Sequence, residues 1–281
     1  MELDSKVVKA QTWCAKAQLE VPAVPFRLKV WMLLEREAKS SNGFVSALSL
    51  SWVLLIQGVT RFAHLQRSTY LGEEASYLKL QASSGKEKCE GARKPMIWSV
   101  PKTMLNGEAL TPLIEEYLEE RGKAYDESEF WLPDFEPRYC DLGKAASLAP
   151  HRMSIQRFQR LTTELFKTKG VNGEQINTFS TYSARRILPT IADAANMSPT
   201  ERINIGAWTD PDLAKTKKKL AMPDRYAHTA LRSRAKAKLK AILAARLAAE
   251  NLDVDLDPEW DTVFSTLPKA KVLDKAVRAC F

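Results

Sequence analysis

The stretch STYLGEEASYLKLQASSGKEKCEGARKPMIWSV (residues 68–100) decides the fold class. It contains three short runs of apolar, aromatic and alternating residues that are typical of strands, at 68–71, 77–81 and 95–100. Residues 82–88, between the second and third runs, are small or polar and are typical of a turn. The stretch therefore predicts a small antiparallel sheet of three strands.

Helical periodicity surrounds this sheet on both sides. Before it, apolar residues recur at helical spacing over 26–38, and 46–65 is a strongly apolar helix candidate. After it, the same spacing predicts helices at 110–121, 154–169, 182–195, 198–205 and 227–250. This order predicts an α+β fold that is mostly helical.

The chain divides into three parts by composition. Residues 1–45 are predicted to form an N-terminal helical segment, broken by the loop between Pro22 and Pro25. Residues 46–250 are predicted to form the main domain, which includes an acidic, proline-containing and loop-like stretch at 122–150. Residues 251–281 form a C-terminal tail that begins with alternating aspartates and is predicted to end in a short helix.

Positive charge is concentrated in one part of the chain. Its 281 residues include 42 Lys and Arg against 34 Asp and Glu, a net charge of +8. Residues 151–250 hold 19 basic and 8 acidic residues, a net of +11, whereas 107–141 hold 3 and 11, a net of −8. A localised excess of this kind favours a polyanionic partner such as nucleic acid.

Several classes of protein are excluded by absent patterns. The four cysteines are widely spaced and the three histidines form no metal-binding motif, so we expect neither a structural zinc nor any cofactor. The phosphate-binding glycine loops and the esterase motif are absent. The N-terminus lacks the pattern of a signal peptide, and the longest apolar stretch, 47–59, is too short to cross a bilayer. We expect an intracellular protein, nuclear if the host is eukaryotic.

Four separated segments carry candidate chemistry. They are QGVTRFAHL (57–65), the strand–turn–strand at 77–100, TYSARR (181–186) and IGAW (205–208), and they are followed by MPDRY (222–226). In this order and spacing they resemble the catalytic domain of tyrosine recombinases, the phage-integrase family. The phrases around 182–226 look most similar to recombinases of eukaryotic mobile elements, the tyrosine-recombinase retrotransposons and Cryptons.

The resemblance implies a role for each matching residue. Arg61 matches the first catalytic arginine, in the family's TGLRxxEL box, and Arg185 the second, in its HxxR box. Both would hold the non-bridging oxygens of a DNA phosphate by bidentate hydrogen bonds. Lys86, or as the second choice Lys88, in the strand–turn–strand, would protonate the leaving oxygen. Trp208 would donate its indole N–H toward the phosphate, and Tyr226 would be the nucleophile.

The match also departs from the family pattern. Tyr182 stands where the HxxR box usually has histidine, and a phenol with a pKa near ~10 is a poor base at neutral pH. His64 stands where the family prefers an acidic residue. The resemblance adds Lys88, Arg186 and Arg225 as DNA-contacting residues, with double-stranded DNA as the partner, self-association on DNA, and no membrane or small-molecule cofactor.

Each of these residues has a structural alternative. Arg61 would then pair with an acid such as Glu115, and Arg185 would be half of a surface basic pair with Arg186. Lys86 and Lys88 would be solvated lysines of a polar turn. Trp208 would be a core residue and Tyr226 a half-buried phenol. Finally, the cations that alternate along 227–250 are interpreted as the solvated face of the last helix: Arg232, Arg234, Lys236, Lys238 and Lys240.

Three functions are therefore open. The first is a DNA strand-breaking and rejoining enzyme that forms a covalent 3′-phosphotyrosine, with its activity weakened by the departures above. The second is a non-catalytic DNA-binding protein that retains the same fold and basic cleft. The third is an unrelated basic helical protein that binds RNA or an acidic partner.

Overall fold

The structure is a computed structural model that describes residues 24–83, 88–89, 92–93, 95–124, 130–136, 147–206 and 228–280. The helices are α1 (Leu28–Glu37), α2 (Gly43–Gly58), α3 (Phe62–Leu65), α4 (Thr111–Ala124), α5 (Ile155–Thr168), α6 (Gly173–Thr178), α7 (Thr181–Ala194), α8 (Pro199–Gly206), α9 (His228–Glu250), α10 (Trp260–Thr266) and α11 (Ala270–Cys280). The strands are β1 (Ser68–Glu73), β2 (Tyr77–Ala82), β3 (Lys88–Cys89), β4 (Ala92–Arg93), β5 (Met96–Pro101), β6 (Pro133–Glu136) and β7 (Ser147–Arg152). None of the described helices is long and apolar enough to cross a membrane.

The predicted sheet is present. Strands β1, β2 and β5 pair antiparallel in that order, with Ser68 opposite Ala82 and Tyr77 opposite Pro101. Small two-stranded ribbons form between β3 and β4 and between β6 and β7. Together with the helices on either side, this confirms the prediction of an α+β, mostly helical fold with a small three-stranded antiparallel sheet.

Helix α2 is the centre of the core. Asn42 caps its N-terminus by accepting hydrogen bonds from the backbone N–H groups of Phe44 and Val45. Nearly every residue of α2 is buried, which explains why its sequence shows an apolar run in place of one apolar face. Trp52 stacks on Phe158 and donates its indole N–H to Thr162, which joins α2 to α5. The same core includes residues from α1 through α11.

The structure departs from the predicted elements in two places. The helix predicted over 46–65 is interrupted, because α2 ends at Gly58, Val59 adopts a left-handed conformation with φ +52°, and α3 begins only at Phe62. The stretch 122–150, predicted to be loop-like, contains the β6–β7 ribbon, in which Phe135 lies opposite Leu148. Proline inside a strand weakens the sequence signal for it, and β6 begins at Pro133.

Helix α9 differs most from its predicted pattern. Every residue from 237 to 245 is buried, because α9 is covered by the sheet, by α7 and α8, and by the C-terminal helices α10 and α11. The interpretation of its cations as a solvated face is therefore wrong for Lys238 and Lys240, which are 3% and 4% exposed. Lys240 is held by ion pairs with Glu201 of α8 and Asp274 of α11, at 2.9 and 2.6 Å. Arg232 and Lys236 are exposed, as predicted.

The glycine at the end of α2 is required by close packing. A Cβ added to Gly58 would lie 2.4 Å from an atom of the buried Trp98 ring. Alanine normally stabilises a helix relative to glycine by about 1 kcal/mol. Here we expect Gly58→Ala to lower the free energy of unfolding by about 2 kcal/mol. The steric clash of the new methyl group with the rigid ring destabilises the fold by more than the higher helix propensity of alanine stabilises it.

The matched control is Gly122→Ala on α4. A Cβ at Gly122 meets no atom within 4 Å, so this substitution should stabilise the protein by up to about 1 kcal/mol. Urea denaturation of both variants measures the difference. Equal shifts of the midpoint in the same direction would contradict the packing assigned to Gly58.

Candidate functional site

The first candidate residue, Arg61, lies in the turn between α2 and α3. It is the N-cap residue of α3, and its carbonyl oxygen accepts hydrogen bonds from the backbone N–H groups of His64 and Leu65. The side chain of Arg61 is half-buried. These hydrogen bonds fix the backbone of Arg61 at the break between the two helices.

The second candidate arginine, Arg185, reaches the same turn from α7. Its Nε donates a hydrogen bond to the carbonyl oxygen of Val59 at 3.2 Å. Burial lowers the pKa of Arg185, the positive charge of Arg61 lowers it further, and Tyr182 opposes the shift. Arg61 and Arg185, here called the arginine pair, are therefore close enough for their charges to repel.

The arginine pair lacks a compensating acid among the residues that the structure describes. No described carboxylate forms an ion pair with either guanidinium, so the Arg61–Glu115 alternative does not hold within this part of the chain. Arg185 is half-buried while Arg186 is exposed, so the two do not form the surface basic pair of the other alternative. Two interacting guanidinium groups without an acid can bind an anion, and planar, bidentate donors suit a phosphate.

Tyr182 stands beside the arginine pair at the N-terminus of α7. Ser180 and Ser183 form a capping box there, and the backbone N–H of Tyr182 donates to the Ser180 hydroxyl. Tyr182 and Arg185 are three residues apart, so they share one face of the helix, and the guanidinium carbon lies 6.0 Å from the centre of the phenol ring. The phenol is 54% exposed and is thus available as a hydrogen-bond donor to a bound anion.

The structure thus brings together three residues that are far apart in sequence: Arg61, Tyr182 and Arg185. Arg186 is exposed on the next position of α7. Lys88 lies in β3, and its side chain falls outside what the structure describes. Four further candidates lie outside the described residues altogether: Lys86, Trp208, Arg225 and Tyr226.

Sequence reasoning missed one residue at this turn, Lys238 of α9. Its Nζ donates hydrogen bonds to the carbonyl oxygens of Gly58, at 2.8 Å, and Ser99, at 2.7 Å. The interpretation of the alternating cations as one solvated face concealed it, although residues two apart lie on opposite sides of a helix. The local signal that could have found Lys238 is its helical spacing, three or four residues from the apolar Ala235, Ala241 and Ile242.

Comparison with known proteins finds distant similarity among solved structures and none to a family or a curated protein. No protein-family model matches this chain, and neither does any curated protein. Among solved structures, the chain is similar to one described as "FLP Recombinase-Holliday Junction Complex I". The sequence identity is 10% and the TM-score 0.41, and the match covers 99% of this chain and 69% of the other.

Proposed function

We propose that this chain binds duplex DNA and breaks and rejoins its strands through a covalent phosphotyrosine. One observation carries the proposal: a half-buried arginine pair, Arg61 and Arg185, has no acid among the described residues and has an exposed phenol beside it. Burying like charges together is unfavourable unless an anion binds between them. A DNA phosphodiester supplies such an anion.

The proposed reaction is a transesterification. The hydroxyl oxygen of Tyr226 forms a bond to phosphorus while the bond from phosphorus to the 5′ oxygen breaks, which leaves a 3′-phosphotyrosine and a free 5′ hydroxyl. The phenol proton passes to water, and Lys86 gives a proton to the leaving oxygen. Arg61 and Arg185 stabilise the charge on the non-bridging oxygens, and Trp208 donates its indole N–H there. A 5′ hydroxyl of another strand reverses the steps.

The distribution of charge supports a DNA partner. Residues 151–250 carry a net charge of +11, and the exposed cations Arg186, Arg232 and Lys236 belong to this stretch. We propose that they contact phosphates along the duplex together with Lys88 and Arg225, and that copies of the chain associate on DNA. The proposal includes a role in a mobile genetic element and, in a eukaryotic host, in the nucleus; both rest on the sequence motifs alone.

The presence of a phenol at position 182 also favours a second function, DNA binding without strand transfer. Tyrosine at this position can donate a hydrogen bond but is a poor base at neutral pH. A protein that kept the arginine pair and lost the base would hold a phosphate without breaking the strand. The two functions share the binding site and differ only in the covalent step.

The experiment follows binding and the covalent adduct on one substrate. We expect a nicked duplex to bind with an affinity that falls steeply with salt, log K dropping linearly with log[salt]. A denaturing gel then detects the covalent adduct. The Tyr182→His variant should raise the adduct yield, since imidazole restores a base. Binding without an adduct in both proteins would establish the second function, and no binding at low salt would exclude both.

A further inference from the structure

The amine of Lys238 is buried, and its hydrogen bonds connect three elements of the fold. Its side chain is 3% exposed, and its Nζ donates to the last residue of α2, Gly58, and to Ser99 of β5. Lys238 itself belongs to α9. No described carboxylate contacts the ammonium group. Both of its acceptors are therefore neutral backbone carbonyls.

This placement is costly for the stability of the fold. Burial lowers the pKa of Lys238 to about 7, and the charge of Arg234, one helical turn earlier, adds to the effect. A methionine has nearly the same length and would fill the same space without desolvating an amine. The desolvation of the amine is offset in part by its two directed hydrogen bonds, which fix the geometry of the elements that they join.

The element that Lys238 holds is strained. Val59 has φ +52° and ψ +36°, a left-handed conformation that is rare for a β-branched residue and costs about 1–3 kcal/mol. Gly58, just before it, is fixed by the ring of Trp98. Lys238 binds the carbonyl of Gly58, and Arg185 binds the carbonyl of Val59. Residues 58–61, here called the 58–61 turn, are thus held by two cations from two different helices.

Helix α9 also contacts β5 directly, through Ser99. The hydroxyl of Ser99 donates to the carbonyl of Leu231 at 3.1 Å, while the carbonyl of Ser99 accepts from Lys238. These two contacts, about two helical turns apart, fix the axial position of α9 against β5. Tyr226 lies two residues before the start of α9 in the sequence. Lys238 therefore links the turn that carries Arg61 to the helix that follows Tyr226.

We propose that Lys238 is a positioning residue: it holds the 58–61 turn against β5 and α9 and so keeps the guanidinium of Arg61 beside that of Arg185. This inference rests on the proposed function insofar as the arginine pair binds a phosphate. Without Lys238, the carbonyl of Gly58 loses its donor, and the strained backbone at Val59 is free to relax. Arg61 would then move relative to Arg185, while the core around Trp98 stays packed.

The test compares Lys238→Met with Lys240→Met. Both lysines are buried on α9, two residues apart, but Lys240 pairs with Glu201 and Asp274, away from the turn. Lys238→Met should lower the melting temperature no more than Lys240→Met does, and it should lower the affinity for a labelled duplex oligonucleotide about tenfold at low salt, as one misplaced charge-assisted contact would. Lys240→Met should lower the melting temperature and leave the affinity unchanged.

Amide hydrogen exchange gives a readout that needs no DNA. The N–H groups of Val59, His64 and Leu65 donate within and just after the turn, so their exchange should accelerate in Lys238→Met and not in Lys240→Met. Wild-type exchange in Lys238→Met, or a larger loss of melting temperature than in Lys240→Met, would overturn the inference. If the wild type binds no duplex, the proposed function fails, and the exchange rates alone decide the role of Lys238.

Discussion

Replacing Tyr226 by phenylalanine should abolish the covalent protein–DNA adduct and change the affinity for duplex DNA by less than about twofold. The substitution removes the oxygen that bonds to phosphorus and keeps the ring, and one neutral hydroxyl contributes little to a binding free energy dominated by phosphate contacts. The measurement is a denaturing gel after incubation with a nicked duplex that traps the adduct, together with a binding titration on the same substrate.

Tyr70→Phe is the control for this variant. Tyr70 lies half-buried on β1, and removing its hydroxyl should leave the adduct yield at the wild-type level. Mass spectrometry of the digested wild-type adduct should place the modified peptide at residues 222–226. An undiminished adduct in Tyr226→Phe would assign the nucleophile to another tyrosine.

The second large effect is expected from Arg185→Ala. Removing a preorganised donor to the charge of a transition state lowers the rate by about 10²–10³. Arg185 also holds the carbonyl of Val59, so its loss should loosen the turn that carries Arg61. We therefore expect weaker binding and a slower adduct rate in the bound complex. Single-turnover kinetics at saturating protein separate the two effects.

Arg186→Ala is the matched comparison, because it removes the same charge one position along α7 from an exposed side chain. It should weaken DNA binding modestly and reduce the slope of log K against log[salt] by about one, with the adduct rate of the bound complex unchanged. Equal losses of rate in the two variants would mean that Arg185 acts only as a surface charge and would contradict its assignment to the arginine pair.

The sequence predicted well those elements whose signals are local. The three strands of the sheet and the helices α4, α5, α7, α8 and α9 lie within a few residues of the predicted ranges, because turn residues and helical periodicity act over short distances. The same kind of signal failed at Val59. A valine in the left-handed conformation has no local advantage, and it is held there by contacts with residues more than a hundred positions away.

In the candidate site, too, the sequence predicted some features and the tertiary structure alone decided others. Sequence motifs singled out Arg61, Tyr182 and Arg185, and the structure places these three side chains around one turn. The motifs did not indicate that no acid among the described residues pairs with the two arginines. The carboxylates that approach a guanidinium are decided by how the whole chain packs. The contact of Lys238 with Gly58 could not be predicted for a related reason, because 180 residues separate the two in the sequence.

By itself, the sequence determined the fold class, the order of most helices and strands, the concentration of positive charge in 151–250, and the residues with candidate chemistry. Only the tertiary structure decided that α2 ends at a strained valine, that α9 is buried on all sides around 237–245, and that two cations hold the 58–61 turn. The physical reason is the range of the forces involved. Periodicity and capping act between neighbours in the chain, whereas the burial of a charge and the approach of two arginines depend on surfaces that meet only when the chain has folded.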